Sequence, residues 1–546
     1  MRIAIAQVNP GVGDLQGNRR LVEEAVERAV THRADLVALP EMVLTGYPPM
    51  DLLERDGFVR DQLRELEALL PLSRKLPIVL GAVIPAQDKR GPGLTNAAVL
   101  LTGGQRAGVQ PKTHLPSYDV FDERRFFREA ETRQPVFLEG RRLGLTVCED
   151  AWVEPLGYRV DPTGELARGG AELVLNLSAS PWHVDKGADR RNMMADLAKR
   201  HGVPLVFVNQ VGGNDELVFD GASLACNAEG QVLAQLAHFD SDFRVVDLDT
   251  DPVLPSGDIA GPDRVAQLEA GLVLGIRDYF RKQGLPPGAV IGLSGGIDSA
   301  VTAHLAARAL GAERVLGVLM PGPFSSEHSV SDAEELGRLL GIEVRLAPIE
   351  PIYAAYRSLF GALLGERDDY GLAQQNVQAR IRGAILMAVS NAENRLVLAT
   401  GNKSELSVGY CTLYGDMVGG LAVLGDVYKR DVYALAHHAN SEALRIPTGS
   451  IEKPPSAELA PGQVDSDDLP AYDVLDAILE QAVEGGLSAA GITPPPGTSA
   501  KVVRDVVARV DRNEYKRRQA PLVLRTSPKA FGTGRRLPIV HRYQPA

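Results

Sequence analysis

Short apolar runs alternate with amphipathic stretches along the first half of the chain. RIAIAQV (2–8) reads as a strand, and LQGNRRLVEEAVERAVTH (15–32) spaces its apolar residues as one face of a helix. DLVALPE (35–41) predicts the next strand, 57–70 contains a helix, and PIVLGAVI (77–84) is a further strand. RLGLTVCED (142–150) is a strand ending in charge. ELVLNLSAS (172–180) is another, a helix spans 187–201, and PLVFVNQVGG (204–213) reads as one more strand. Several of these strands are joined by short turns, so the expected sheet is mixed and layered with helices rather than purely parallel.

The pattern breaks at TDPVLPSGDIAGP (250–262), rich in Pro, Gly and Asp and without periodicity. That break marks a boundary between two expected domains, 1–255 and 262–546. Beyond it, 265–284 predicts a helix, GAVIGLSGGIDSA a strand entering a loop, TAHLAARALG a helix and RVLGVLMPG a strand. A strand–helix–strand order with a glycine-rich first turn predicts a doubly wound parallel α/β domain, whose ligands bind beyond the carboxyl ends of the strands. The stretch 452–470 reads as ordered loop or mobile lid, and its DSDD (465–468) as part of a lid or a solvated turn, the latter favoured.

Length and composition narrow the class. A chain of 546 residues exceeds one ordinary core, and 45% apolar with 23% charged residues is the balance of a globular protein. A net charge of −12 argues against broad binding to nucleic acid or anionic membrane. MRIAIAQVNP lacks the charged and apolar regions of a signal peptide, and no apolar run approaches the roughly 20 residues of a membrane span. Cys148, Cys226 and Cys411 are scattered and odd in number, which fits a reducing cytoplasm better than a disulfide framework or zinc site.

Two constellations carry chemistry. In the second half, GLSGGIDSA (292–300) offers backbone N–H groups, two hydroxyls and a following helix N-terminus, an anion nest. It has no Walker lysine, and Asp298 stands where it can hold a magnesium ion beside phosphates. In the first half, Glu41, Lys112 and Cys148 each fall at the end of a predicted strand or the turn after it. A carboxylate base, an ammonium for a developing oxyanion and a thiol nucleophile together make an amidase. His114 and His183 have no Asn or Asp context tying them to Cys148 and read as structural or substrate-lining. Cys226 and Cys411 read as core or loop residues.

SGGxDS after a strand resembles the pyrophosphate loop of the N-type ATP pyrophosphatases, which split ATP between its α- and β-phosphates. LVLATGNKSELSVGYCTLYGDMVGGLAVLGDVYK (396–429), QNVQARIRGAILM (375–387) and SPKAFG (527–532) resemble the NAD synthetase family within them. The Glu–Lys–Cys order, with ALPEMVLTGYPP, VQPKTHLPSYDVFDERRFF and LTVCEDAW, is similar to the nitrilase (carbon–nitrogen hydrolase) family. SASPWHVDKGADRR (178–191) and NQVGGNDELVFDGAS (209–223) resemble its glutamine-dependent subgroup.

The resemblance implies a nitrilase-like α-β-β-α sandwich followed by an adenine nucleotide α-hydrolase-like domain. It implies catalytic Glu41, Lys112 and Cys148, with Glu123 as a helper carboxylate and Tyr118, Ser180 and Lys186 holding glutamine. ATP would be held by Gly292, Leu293, Ser294, Gly295, Gly296, Ile297, Asp298, Ser299 and Thr400. Deamido-NAD would meet Asn376, Glu405 and Lys529, with Mg2+ on Asp298 and Glu405 and Lys429 offsetting phosphate charge. The implied reaction is ATP-dependent amidation of deamido-NAD to NAD with ammonia from L-glutamine, through an adenylate, in a cytoplasmic homo-oligomer. An ATP pyrophosphatase with another acceptor would share the adenylate chemistry and differ in the substrate that drives pyrophosphate release. A decayed, regulatory nucleotide binder would have lost loop or triad residues, and all are intact.

Overall fold

The computed structural model describes residues 1–86, 91–255, 261–284 and 288–543. The chain forms two compact units, Met1–Asp263 and Arg264–Ala546. Residues 256–260 of the stretch expected to separate the domains lie outside the described residues.

The first unit stacks two six-stranded sheets. One runs in the order Asp242–Asp247, Arg2–Gln7, Leu36–Ala38, Ile78–Pro85, Leu94–Thr102, Gln105–Pro111, parallel through its middle and antiparallel at both edges. The other runs Val232–Gln235, Leu224–Cys226, Leu205–Asn209, Leu173–Ser178, Arg141–Val147, Val136–Leu138, again with a parallel centre. Ile3, Ile5 and Val79 of the first sheet pack with Leu145, Leu175 and Val206 of the second, so the inner faces share one apolar core. Helix Leu15–Thr31 covers the outer face of the first sheet through Val22 and Val26, and helix Lys186–His201 covers the second through Met194 and Leu197. Alternation along each strand supplies both faces, which is why these strands are apolar throughout. The result is the expected α-β-β-α sandwich.

The sequence pattern left out the interior strand Leu94–Thr102, the polar edge strand Gln105–Pro111 and the strands after residue 214. PLVFVNQVGG is not one strand. Leu205–Asn209 ends in the sheet, and Val211–Asn214 pairs with Leu217–Asp220 as a separate hairpin. Glu41 lies outside the ladder, because the strand predicted over 35–41 is only Leu36–Ala38.

The second unit has an all-parallel sheet in the order Glu343–Leu346, Val315–Leu319, Gly288–Leu293, Arg395–Ala399, Leu421–Ala422, Leu522–Val523. The chain winds outward one way from Gly288–Leu293, then returns to build the other way from Arg395–Ala399. These two neighbours are therefore the switch point, where a crevice opens beyond the strand ends. Gly292–Ser299 follows the first of them and Thr400 the second.

Candidate active sites

In the first unit the switch from strand to short helix after Val147 presents Cys148. The residue adopts φ +41°, and its turn is held because the Asp150 carboxylate accepts from the N–H groups of Val147, Thr113 and His114 at 3.0, 2.9 and 2.8 Å. A left-handed non-glycine residue costs about 1–3 kcal/mol and persists only where surroundings fix it. Glu41 is set by the backbone on two sides. Its Oε2 accepts from Ala179 N at 2.8 Å, and Gly81 passes so close that a Cβ there would lie 2.5 Å from Glu41 Cα and 2.3 Å from Met42 N.

Between these lies Lys112. Its Nζ donates to Glu41 Oε1 and to Glu123 Oε1, both at 2.8 Å, and all three side chains are buried. Asn96 Nδ2 donates to Glu41 Oε1 at 2.6 Å, and the Tyr47 hydroxyl donates to Glu123 Oε1 at 2.8 Å. Burial works to lower the Lys112 pKa, but the Glu123 and Glu41 carboxylates outweigh it and hold the ammonium charged. Burial, with Glu41 adding, pushes the Glu123 carboxyl up to about 7 despite Lys112. Burial and the Glu41 charge push the Cys148 thiol upward, while Lys112 opposes them. A thiol in this state needs an adjacent base to become a thiolate.

The structure brings Glu41, Lys112, Glu123 and Cys148 into one buried cluster. Ser180 is buried beside it, one residue after the Ala179 N–H that bonds Glu41. Tyr118 is exposed and donates its hydroxyl to Glu149 at 2.8 Å. Lys186 Nζ donates to Pro181 O at 2.7 Å and sits 5.2 Å from the Trp152 ring centroid. His114 stacks on Tyr158 at 3.9 Å and faces Val160 O, and His183 faces Val184 O.

Sequence reasoning passed over Glu149. Its buried carboxylate accepts from Tyr118 and from Tyr158 at 3.0 Å, directly after the cysteine. The signal was in plain view: an acid inside an apolar strand end, CED, has to meet a donor or a cation.

In the second unit, Ser294, Gly296, Ile297, Asp298 and Ser299 line a cavity with Thr400, Glu405 and Lys429. Ser294 and Ser299 hydroxyls lie 3.2 Å apart, and Ser299 Oγ donates to Gly296 O at 2.9 Å. Gly295 has φ +75°, and a Cβ there would meet Ser329 O at 2.4 Å. Helix Ile297–Leu310 begins at this loop, so its free N–H groups face the cavity mouth. An adjoining cavity, lined by Gly292, Leu293, Met320, Arg382 and Leu386, is apolar on one side.

Asp298 Oδ1 accepts from Asn402 Nδ2 at 2.9 Å, and its Oδ2 pairs with Lys429 Nζ. Asn402 caps helix Lys403–Val408 and thereby aims Glu405 at the same point, with Lys429 Nζ 3.7 Å from Glu405 Oε1. Burial, then the neighbouring Asp298 charge, pushes the Glu405 carboxyl up to about 8. Two carboxylates converging beside a phosphate-type loop are hard oxygen donors that would suit a divalent cation. Among the described residues no group of three or more His, Cys, Asp or Glu gathers as a self-sufficient metal cage. Asn376 and Lys529 line neither cavity. Asn376 Oδ1 accepts from Thr412, and the Lys529 carbonyl accepts from the buried Lys403 at 2.9 Å.

Comparison with known proteins matches this division. A family model for carbon-nitrogen hydrolase matches residues 2–253, and one for NAD synthase matches 269–520. A glutamine-dependent NAD(+) synthetase of Synechocystis sp. is 43% identical over 562 aligned residues, covering 100% of this chain and 99% of its own length. One from Thermotoga maritima is 40% identical with the same coverage. The chain belongs to the glutamine-dependent NAD(+) synthetase family.

The synthetase fold is shared at full length. The structure of the Acinetobacter baumannii glutamine-dependent NAD+ synthetase in complex with ADP matches with a TM-score of 0.78 and 39% identity, covering 98% of each chain. The Cytophaga hutchinsonii enzyme matches with a TM-score of 0.83 at 21% identity, a likeness of fold. Lys453 is a second residue that sequence reasoning passed over. It lines the loop cavity and pairs with Ser329 and Glu458.

Proposed function

We propose that the chain converts deamido-NAD to NAD with ATP and ammonia released from L-glutamine. The observation that carries this reading is the presence, in one chain of this family, of a buried Glu–Lys–Cys cluster and a lysine-free phosphate-type loop with paired carboxylates. We assign the first task to residues 1–255 and the second to 262–546.

In the first site Glu41 takes the proton from Cys148 Sγ, and the thiolate attacks the side-chain amide carbon of glutamine. Lys112 stabilises the oxyanion, and Glu123 holds Lys112 in place. Glu41 passes that proton to the leaving nitrogen and ammonia departs. Water, giving a proton to Glu41, then releases glutamate from the thioester, and the proton returns to Sγ to restore the thiol. Tyr118, Ser180 and Lys186 bind the amino acid. Glu149, a buried acid whose carboxylate accepts from the Tyr118 and Tyr158 hydroxyls, matches its α-ammonium.

In the second site the main-chain N–H groups and hydroxyls of Ser294–Ser299 receive pyrophosphate as the deamido-NAD carboxylate attacks the α-phosphorus. The apolar side of the cavity at Met320 and Leu386 suits a nucleobase, and Thr400 faces the nucleotide. Asp298 and Glu405 would hold magnesium, which supplies charge neutralisation on the phosphates. Lys429 adds a fixed positive charge at the same point. Ammonia then forms the C–N bond. AMP departs with the electron pair of the broken C–O bond, and one proton is released. Asn376, Glu405 and Lys529 are the residues we assign to deamido-NAD.

Leu359, Leu363 and Leu372 are exposed on helices Glu350–Leu364 and Leu372–Glu393, the last of them four residues from Asn376. Such an apolar surface suits a second copy of the chain, and we propose a homo-oligomer. Among the described residues no helix is long and apolar enough to cross a membrane, and we propose a cytoplasmic enzyme. The test is NAD formation from deamido-NAD, ATP and magnesium by wild type and Cys148→Ala, each given glutamine or ammonium. Loss of only the glutamine-driven reaction in the variant supports both halves. A wild type that makes no NAD from either nitrogen source overturns the acceptor assignment.

A further inference from the structure

The stretch DSDD (465–468) reads from sequence as a solvated turn, and the structure corrects that reading at its first residue. Ser466, Asp467 and Asp468 are exposed, whereas Asp465 is only 5% exposed and lines the loop cavity with Asp298, Thr400, Glu405 and Lys429. Its backbone N–H donates to Pro455 O at 3.0 Å, which pins the turn against the 453–459 segment.

The two carboxylate oxygens are unequal. Oδ2 accepts from the Tyr472 hydroxyl at 2.7 Å, and the Tyr472 ring lies 5.1 Å from Lys429 Nζ, so the acid is tied to the Asp298–Lys429 pair through one side chain. Oδ1 is buried and makes no hydrogen bond within 3.5 Å among the described residues, with the Tyr410 hydroxyl the neighbouring donor to this carboxylate. A buried acceptor left open is costly unless something arrives to fill it.

The other acids in the cavity are already engaged. Asp298 accepts from Asn402 and Lys429, Glu405 faces Asn402 N at 3.4 Å and Lys429, Asp416 accepts from Thr412 N at 2.7 Å, and Glu458 accepts from Ser326, Ser329 and Lys453. The phosphates of ATP carry negative charge and would be repelled by Asp465, and they have donors elsewhere in Ser294, Ser299 and Lys453. What lacks an acceptor is the nitrogen nucleophile, which is small and brings three N–H donors.

We propose that Asp465 receives that nucleophile, its free Oδ1 accepting an N–H of the incoming ammonia beside the adenylated carboxyl group. The inference rests on the reading of this unit as an amidating site and leaves the covalent step as described. Burial pushes the Asp465 carboxyl upward, with the Tyr472 hydroxyl, Lys429 and the neighbouring Tyr410 opposing.

The experiment uses the full chain carrying Asp465→Asn or Asp465→Ala, with two readouts. One is the deamido-NAD-dependent exchange of labelled pyrophosphate into ATP, which stops before nitrogen is needed. The other is NAD formation as ammonium is varied. Loss of one hydrogen bond to a small ligand predicts an ammonium KM raised about tenfold or more, with exchange within about threefold of wild type. The KM values for ATP and deamido-NAD stay unchanged. Tyr472→Phe keeps the carboxylate but frees its other oxygen, and it raises the ammonium KM by less.

Exchange that falls together with NAD formation would make Asp465 a cation or nucleotide ligand and overturn the proposal. A raised KM for ATP or deamido-NAD would assign it to a ribose hydroxyl and do the same, as would an unchanged ammonium KM. Wild-type protein with no deamido-NAD-dependent exchange overturns the underlying amidating reading instead.

Discussion

Gly295→Ala is a small change with a large expected effect. The added Cβ would lie 2.4 Å from Ser329 O and 2.7 Å from Ser329 Cα, against an ordinary contact of 3.4 Å or more. Relief needs a backbone displacement of about 1 Å, because both obstacles are main-chain atoms and the residue cannot turn aside at φ +75°. The left-handed conformation adds about 1–2 kcal/mol for any residue with a Cβ. A shift of about 1 Å in groups that must meet a leaving anion costs about 10²-fold in rate. Deamido-NAD-dependent pyrophosphate exchange should therefore fall by about two orders of magnitude while glutamine hydrolysis is unchanged. Gly296→Ala is the control. Its φ is −88°, and its Cβ would meet only the Ser294 hydroxyl, at 3.3 Å, which can rotate. The reasoning fails if Gly295→Ala keeps exchange within about threefold of wild type, or if the two variants are equally impaired.

Three further outcomes follow from the first unit. Lys112→Met leaves Glu41 and Glu123 facing each other in the core, so glutamine-driven NAD formation is abolished and the unit loses about 3–5 kcal/mol in denaturant titration. Ammonium-driven synthesis by the same variant should persist, and its loss would refute the division of labour. Glu123 is raised to about 7, so the folded unit keeps a proton that the unfolded chain releases near pH 4.5. Its contribution is complete below about pH 4.5 and is lost as pH rises through about 7. Melting temperature against pH should therefore fall more steeply for wild type than for Glu123→Gln, and equal slopes would contradict the assignment. Glu149→Gln should raise the KM for glutamine about tenfold or more by removing the charge that meets its ammonium, with the ammonium-driven reaction unchanged in initial-rate assays.

Much of the fold was legible because its strands are buried on both faces and read as continuous apolar runs, as in RIAIAQV and PIVLGAVI. The edge strand Gln105–Pro111 was not, since its side chains are largely exposed and carry no period. The site residues that sequence found sit where an apolar run meets a polar turn, at Cys148, Thr400 and the Gly292–Ser299 loop. Those it passed over depend on what packs against them. Nothing local distinguishes Asp465 from Asp467 and Asp468. Only the tertiary fold turns one of the three inward and leaves it a free oxygen. Lys453 likewise looks like a surface lysine until Ser329 and Glu458 are brought to it.

The close passage of Gly81 behind Glu41 has a bearing on how natural variants of this chain should be scored. Position 81 has no side chain, sits inside a regular strand and would be graded tolerant by any scheme that weighs residue chemistry or local propensity. Yet a single methyl group there collides with the main chain of Glu41 and Met42, far earlier in sequence. Such a variant would arrive in a sequencing survey as a conservative glycine-to-alanine exchange and behave as a lesion of the base itself. Its harm would be visible only to a method that asks what the missing atom makes room for.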